Sequence, residues 1–277
     1  MFKLALVQMH VEGGEKAQNL HHAKEMIYES AKNGADIALL PEAMNLGWTH
    51  PSAKSDADPI PDGDTCRTLI QSAKKNNIYV CCGLVEKDGA RIYNSAVLIS
   101  KKGEIILHHR KINELEIGHE YYDQGSKLNV CNTEFGTAGL MICSDAFAVE
   151  KVLSKSLGYM GADFILSPSS WAMPEDWDNS QQSAGSIWSG HYASVAEQFQ
   201  IWIAGVSNVG EIKEGPWRGY SAIGNSLVIA PSGKIAAEAP FGVNAEIIMY
   251  VDIQPVKRPA RANAWANYWQ ANHLKLL

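Results

Sequence analysis

The order of elements along this chain is written twice. Residues 1–8 read as a strand, Leu20, Ala23, Ile27 and Ala31 recur at helical spacing, and Asn33-Gly34 stops that helix before an apolar run at 36–40. A helix over about 64–75, a strand from Ile78, and strands at 93–100 and from Glu104 joined by the turn Lys101-Lys102-Gly103 complete the first set. The second set has an apolar strand at 138–142, a helix near 149–159, a strand at 163–167, a helix over 183–200 and a strand at 201–206. It closes with strands at 222–230 and 234–238 around Pro231-Ser232-Gly233, and a final strand near 247–251. Alternating strands and helices predict an α/β sandwich, and the duplication predicts two sheets packed inside helices. No low-complexity linker separates the halves, so residues 1–277 are expected to form one domain.

Three of these strands run into reactive side chains. The run 36–40 leads into Pro41-Glu42, the strand from Glu104 passes through His108-His109-Arg110 into Lys111, and 138–142 ends at Cys143 followed by Ser144-Asp145. Open α/β sheets hold their chemistry in the crevice beyond the carboxyl ends of strands, where a turn aims a side chain outward and frees backbone N–H groups. A thiol attacks as a thiolate, so Cys143 needs a base and a nearby cation. Glu42 can take the thiol proton, Lys111 can offset charge on sulfur and oxyanion, and the Ser144 N–H is the natural second oxyanion donor. Each residue alone has an ordinary explanation: a loop carboxylate, a solvated lysine, a buried apolar thiol. A cysteine–histidine pair with His108, His109 or His119 as base is the competing chemistry.

Composition narrows the class. With 46% hydrophobic and 19% charged residues the chain is that of a soluble globule, and a net charge of −6 disfavours a nucleic-acid surface. The first residues lack the h-region and cleavage site of a secretory leader, and no apolar run approaches the roughly 18 residues that span a bilayer, so no membrane partner is expected. Five cysteines, with Cys81 and Cys82 adjacent in a strand and so facing opposite ways, argue against a disulfide framework and fit a reducing cytoplasm. His21-His22 and His108-His109 do not converge on a metal, and no metal is expected. Dinucleotide, P-loop and serine-hydrolase fingerprints are missing from the sequence.

Taken together, Leu39-Leu40-Pro41-Glu42, Arg110-Lys111-Ile112-Asn113 and Met141-Ile142-Cys143-Ser144-Asp145 resemble the three catalytic motifs of the nitrilase superfamily of carbon-nitrogen hydrolases. Ala5-Leu6-Val7-Gln8, Pro168-Ser169-Ser170-Trp171, Gly205-Val206-Ser207-Asn208 and the stretch 224–233 follow in the family's order, so the resemblance covers nearly the whole chain. It implies a four-layer αββα sandwich with two central mixed sheets flanked by helices. It also implies Glu42 as general base, Lys111 as oxyanion stabiliser and Cys143 as nucleophile, with no cofactor. Many members carry a second glutamate. Glu120, ahead of Tyr121-Tyr122-Asp123-Gln124-Gly125, matches its pattern, with Glu114 and Glu116 as competitors.

The implied reaction is hydrolysis of a small amide to acid and ammonia or amine through a thioester. Ser144-Asp145 stands where nitrilases carry Trp-Glu, which favours amide over nitrile. An N-carbamoyl-amine hydrolase, releasing carbon dioxide as well, uses the same residues, and a catalytically silent binding protein is the alternative of another class. Ser144, Trp171 and Trp48 are expected to bind substrate; the acidic segment 174–178 reads as a solvated loop, with contact to an amine-bearing substrate as the alternative. The aromatic tail 260–277 is expected to pack on the domain or to build a homodimer or higher homo-oligomer, in keeping with the aromatic content of interface cores.

Overall fold

The computed structural model describes residues 1–256 and 268–273. The first half contains β1 (Phe2–Gln8), α1 (Lys16–Lys32), β2 (Ile37–Leu39), α2 (Ala53–Asp56), α3 (Asp64–Asn76), β3 (Tyr79–Asp88), β4 (Arg91–Ile99) and β5 (Ile105–Arg110). The second half begins with β6 (Val130–Thr133), β7 (Gly136–Leu140), α4 (Val152–Met160), β8 (Phe164–Ser169), β9 (Ala172–Pro174) and α5 (Ala184–Phe199). It continues through β10 (Trp202–Ser207), β11 (Val209–Glu211), β12 (Tyr220–Ile223), β13 (Leu227–Ile229) and β14 (Ile235–Glu238), and the last strand is β15 (Ile247–Ile253).

Two six-stranded sheets result, ordered β15-β1-β2-β3-β4-β5 and β6-β7-β8-β10-β13-β14. Their pairings run in the same sequence: antiparallel, parallel, parallel, antiparallel, antiparallel. The duplication read from the sequence is therefore a duplication of sheet topology. The small third sheet, β11-β12-β9, was not expected.

Strand alternation divides the apolar residues among three cores. Leu4, Leu6, Leu39 and Cys81 join Leu140, Phe164 and Val206 between the two sheets. Ala5, Val7, Leu40 and Cys82 face α1 and α3 through Leu20, Ala23, Ile27 and Leu69. Ile165, Ile203 and Leu227 face α4 and α5 through Leu157, Tyr192, Val195 and Ala196. Helix, sheet, sheet and helix are thus stacked as the four-layer αββα sandwich, and Cys81 and Cys82 do point to opposite faces.

One expected strand is broken. Residues 222–230 divide into β12 and β13 because Gly224 and Asn225 take left-handed φ (63° and 57°), which turns the chain away from the strand direction. The break sends β12 to the small sheet and β13 to the second large one. Most of the tail 260–277 lies outside the described residues. Among those described, no helix is long and apolar enough to cross a membrane, and no group of three or more His, Cys, Asp or Glu is arranged to hold a metal.

Candidate active site

The turn after β2 carries Glu42. Pro41 has no N–H for a ladder and ends the pairing. Ala43 then takes φ 47°, and Glu42 donates its N–H to the Ser169 carbonyl of the other sheet at 3.1 Å. Such close approach requires Gly83 in β3, where a Cβ would stand 2.5 Å from the Cα of Glu42. Lys111 follows β5, held by its N–H to the Asn94 carbonyl (2.8 Å) and by the Gly125 N–H to its own carbonyl (2.8 Å). Cys143 follows β7 and opens a 3-10 turn, Cys143–Phe147, at φ 41°. A non-glycine residue in this left-handed region is strained, and such strain concentrates where a side chain must be aimed.

Asp145 ties two of these turns together. One carboxylate oxygen accepts the N–H groups of Ile112 (3.0 Å) and Asn113 (2.8 Å), and the other accepts that of Ile142 (2.9 Å) and meets His109 Nε2 at 2.7 Å. Asn113 and Ser144 add a reciprocal clamp: Asn113 Nδ2 donates to the Ser144 carbonyl and Ser144 Oγ to the Asn113 carbonyl, both at 2.6 Å. Burial alone would raise the Asp145 carboxyl, but the hydrogen bond and charge of His109 and the backbone donors outweigh it and hold it low.

The three strand-end residues meet in one place. Lys111 Nζ lies 2.7 Å from Glu42 Oε1 and 3.0 Å from Glu114 Oε1, all three side chains being 1–2% exposed. Asn94 Nδ2 bridges the carboxylates, donating to Glu42 at 2.6 Å and to Glu114 at 3.0 Å. Two carboxylates thus share one ammonium. Burial raises Glu42, Lys111 draws it down and the Glu114 charge raises it again, leaving it above the ordinary carboxylate range. Burial opposes the charge on Lys111, but Glu42 and Glu114 more than offset it and hold the ammonium well above its usual value. Burial, with Glu42 next, pushes the Cys143 thiol up to about 12 against the pull of Lys111. The resting site therefore holds a protonated thiol beside a carboxylate of raised basicity.

Glu42, Lys111 and Cys143 floor a cavity of 240 Å³, walled by Asn113, Leu115, Ser144, Phe147, Ser170, Ala172 and the tryptophans Trp48, Trp171, Trp188 and Trp217. Trp171 stacks on Trp188 with centroids 4.3 Å apart, Trp48 meets Trp217 edge-on at 4.8 Å, and Lys111 Nζ sits 5.6 Å over the Trp48 ring. Larger hollows exist, including one of 740 Å³ between α1 and α3, but none of those described is lined by Glu42, Lys111 or Cys143.

The structure rearranges several expectations. Glu120 does not join the cluster. It is exposed at the end of a short 3-10 turn, Glu116–Glu120, and Glu114 occupies the position against Lys111 because Asp145 folds the chain back directly after Ile112. Glu116 is exposed as well. Ser144, Trp171 and Trp48 all line the cavity, but the Ser144 hydroxyl is engaged by the Asn113 carbonyl. In the acidic segment, Glu175 lines a separate groove with Glu211, Lys213 and Arg218, and no residue of 174–178 lines the cavity of Cys143. His108 turns to Glu86 (3.0 Å), His109 to Asp145, and His119 is exposed, so none of them stands in the cavity as a thiol base. Asn94, Phe147, Trp188 and Trp217 had not been singled out from the sequence. Only the closeness of Glu114 to Lys111 along the sequence carried a signal, as a candidate partner for the ammonium.

Comparisons with known proteins bear on the family and the fold. Residues 3–261 match the family model described as carbon-nitrogen hydrolase. The chain is 31% identical over 260 residues to a nitrilase of Pyrococcus abyssi, covering 91% of each chain. It is 29% identical over 265 residues to the omega-amidase NIT2 of Danio rerio, covering 91% of this chain and 88% of that one. The crystal structure of Saccharomyces cerevisiae Nit3, a member of branch 10 of the nitrilase superfamily, superposes with a TM-score of 0.78 at 26% identity, covering 99% of this chain and 95% of that chain.

Proposed function

From the premise that the chain belongs to the carbon-nitrogen hydrolase family, we propose that it hydrolyses the carbon-nitrogen bond of a small amide through a thioester on Cys143. The observation that carries the reading is that Glu42 and Lys111, with Glu114 behind Lys111, meet at the cavity that Cys143 also lines.

Glu42, made more basic by burial and by Glu114, takes the thiol proton as sulfur attacks the amide carbonyl. Charge moves onto the carbonyl oxygen, where the Lys111 ammonium and the Ser144 N–H stabilise it. On collapse the carbon-nitrogen bond breaks, and Glu42 passes the proton to the departing nitrogen, which leaves as ammonia or amine. Glu42 next deprotonates a water that attacks the thioester. The carbon-sulfur bond breaks, the acid leaves, and the proton returns to Cys143. Glu114 holds Lys111 in place and keeps Glu42 basic. The protons balance over the cycle, and no redox group is consumed.

A reducing, cytoplasmic setting is supported by five unpaired cysteines. A homo-oligomer is supported by the exposed apolar side chains Val149, Val152, Tyr159 and Met160 in and before α4, which a second copy would cover.

The test is release of ammonia and carbon dioxide from a panel of small amides, N-carbamoyl amines and nitriles, with Cys143→Ala as control. Ammonia alone from amides, abolished in the variant, is the expected result. Carbon dioxide released with the ammonia would favour the N-carbamoyl reading. Absence of any Cys143-dependent release would favour a silent binding protein.

A further inference from the structure

Apart from Glu42 and Lys111, no side chain lining the catalytic cavity is charged, and Lys111 is already shared by two carboxylates. A substrate carboxylate entering this cavity would lose its water and find no free cation in return. At 240 Å³ the space is also below the about 300 Å³ at which ordinary small-molecule pockets begin. Four indole rings and a phenyl ring make most of its wall.

The phenyl ring belongs to Phe147, which ends the 3-10 turn that Cys143 opens. Phe147 lines the catalytic cavity and also a neighbouring outer cavity of 290 Å³. That second space has a different character: Glu150, Lys151, Lys155, His191 and Ser194 line it. The ring of His191 lies against Phe147, with centroids 4.0 Å apart and planes tilted by 40°. Lys151 is anchored there by a 2.6 Å hydrogen bond to Ser194 Oγ. One aromatic side chain is thus common to an apolar cavity and a cationic one.

We propose that Phe147 is a specificity-determining wall: it limits the substrate to amides with short, uncharged acyl groups and shuts out acyl chains that end in a carboxylate. The inference rests on the amidase reading. Phe147 is the residue shared by both linings, so on this reading an acyl chain that reaches Lys151 and Lys155 from the cavity passes its ring. Truncation joins the two spaces and removes both restrictions together.

The experiment compares kcat/KM for propionamide, hexanamide and the monoamide of glutaric acid in the full-length wild type, Phe147→Ala and Phe147→Leu, with thermal melting to verify folding. Wild type is expected to favour propionamide over each of the other two by about tenfold or more, the discrimination that small changes of pocket fit produce. Phe147→Ala is expected to shift both ratios by about tenfold toward the longer and the charged acyl groups, chiefly through KM, with Phe147→Leu between the two. Should Phe147→Ala not fold, the wild-type preference and Phe147→Leu still decide. A wild type that prefers the glutaric monoamide, or ratios that stay within about twofold in the folded variants, overturns the proposal and leaves the amidase reading standing. Absence of Cys143-dependent ammonia from all three substrates in wild type removes both.

Discussion

Asp145 Oδ2 stands 2.7 Å from His109 Nε2, with both side chains closed off from solvent at 0% and 2% exposure. The pair lies between the strand that delivers Lys111 and the turn that delivers Cys143, so it fixes the spacing of those two residues without touching either side chain.

Asp145→Asn leaves an amide facing donors on every side. Loss of one partner from a buried pair costs about 3–5 kcal/mol, and a fall of that size in unfolding free energy is expected from denaturant titration. Because the folded carboxyl is held below its usual value, its contribution to stability is complete above the ordinary carboxylate pKa and is lost as pH falls through the folded one. The variant should therefore lose part of the acid dependence of stability that wild type has. An equally steep acid limb in both proteins would contradict the assigned pairing.

Glu114→Gln and Glu120→Gln separate the two candidate second glutamates. Glu114 raises the Glu42 carboxyl, so its removal lets Glu42 ionise at lower pH, and the acid limb of kcat/KM should move to lower pH while kcat drops about 100-fold. Glu120 is exposed and outside the cluster, and its variant should match wild type in both respects. The reverse pattern in the two pH profiles would return the role to Glu120.

Gly83→Ala adds a methyl group 2.5 Å from the Cα of Glu42. Overpacking of this kind costs about 1–3 kcal/mol, and the displaced carboxylate should lower kcat by about tenfold or more with a smaller change in KM. Unaltered kcat would mean that the Glu42 turn can yield without cost.

Glu86 gives a second acid limb, away from the active site. Burial alone would raise its carboxyl, but His108, Arg110 and Ser95 hydrogen-bond to it and bring it from a usual 4.5 to about 2. Its stabilisation, on the order of 3 kcal/mol, is complete above about pH 5 and is lost as pH falls toward the folded value. Glu86→Gln should be less stable than wild type at neutral pH and should converge with it in acid. Parallel stability curves down to pH 2 would rule this out.

The frame and the three strand-end residues were legible because each is written locally. An apolar run, a turn former and a reactive side chain place Glu42, Lys111 and Cys143 at strand ends whatever the rest of the chain does. Glu114 was only half legible. Its spacing from Lys111 was visible, but the sharp return of the chain after Ile112 depends on Asp145, a residue 33 positions away, and Glu120 carried the better local pattern. The break at Gly224-Asn225 was hidden because apolar residues on both sides continue the strand pattern. Trp188, Trp217 and Phe147 come from separate elements, and their convergence on one cavity is a property of packing that no periodicity records.

The doubled sheet plan has a consequence for the chain before it is fully folded. Glu42 and Lys111 belong to the first copy of the plan, Cys143 to the second, and their alignment exists only across the seam between copies. A nascent or half-formed molecule thus carries the Cys143 thiol without its carboxylate and ammonium neighbours. Before packing, that thiol has only its ordinary free-cysteine acidity and stays mostly protonated near neutral pH, and its partners arrive in the same event that seals the seam. Reactivity is in this way coupled to completion of the fold.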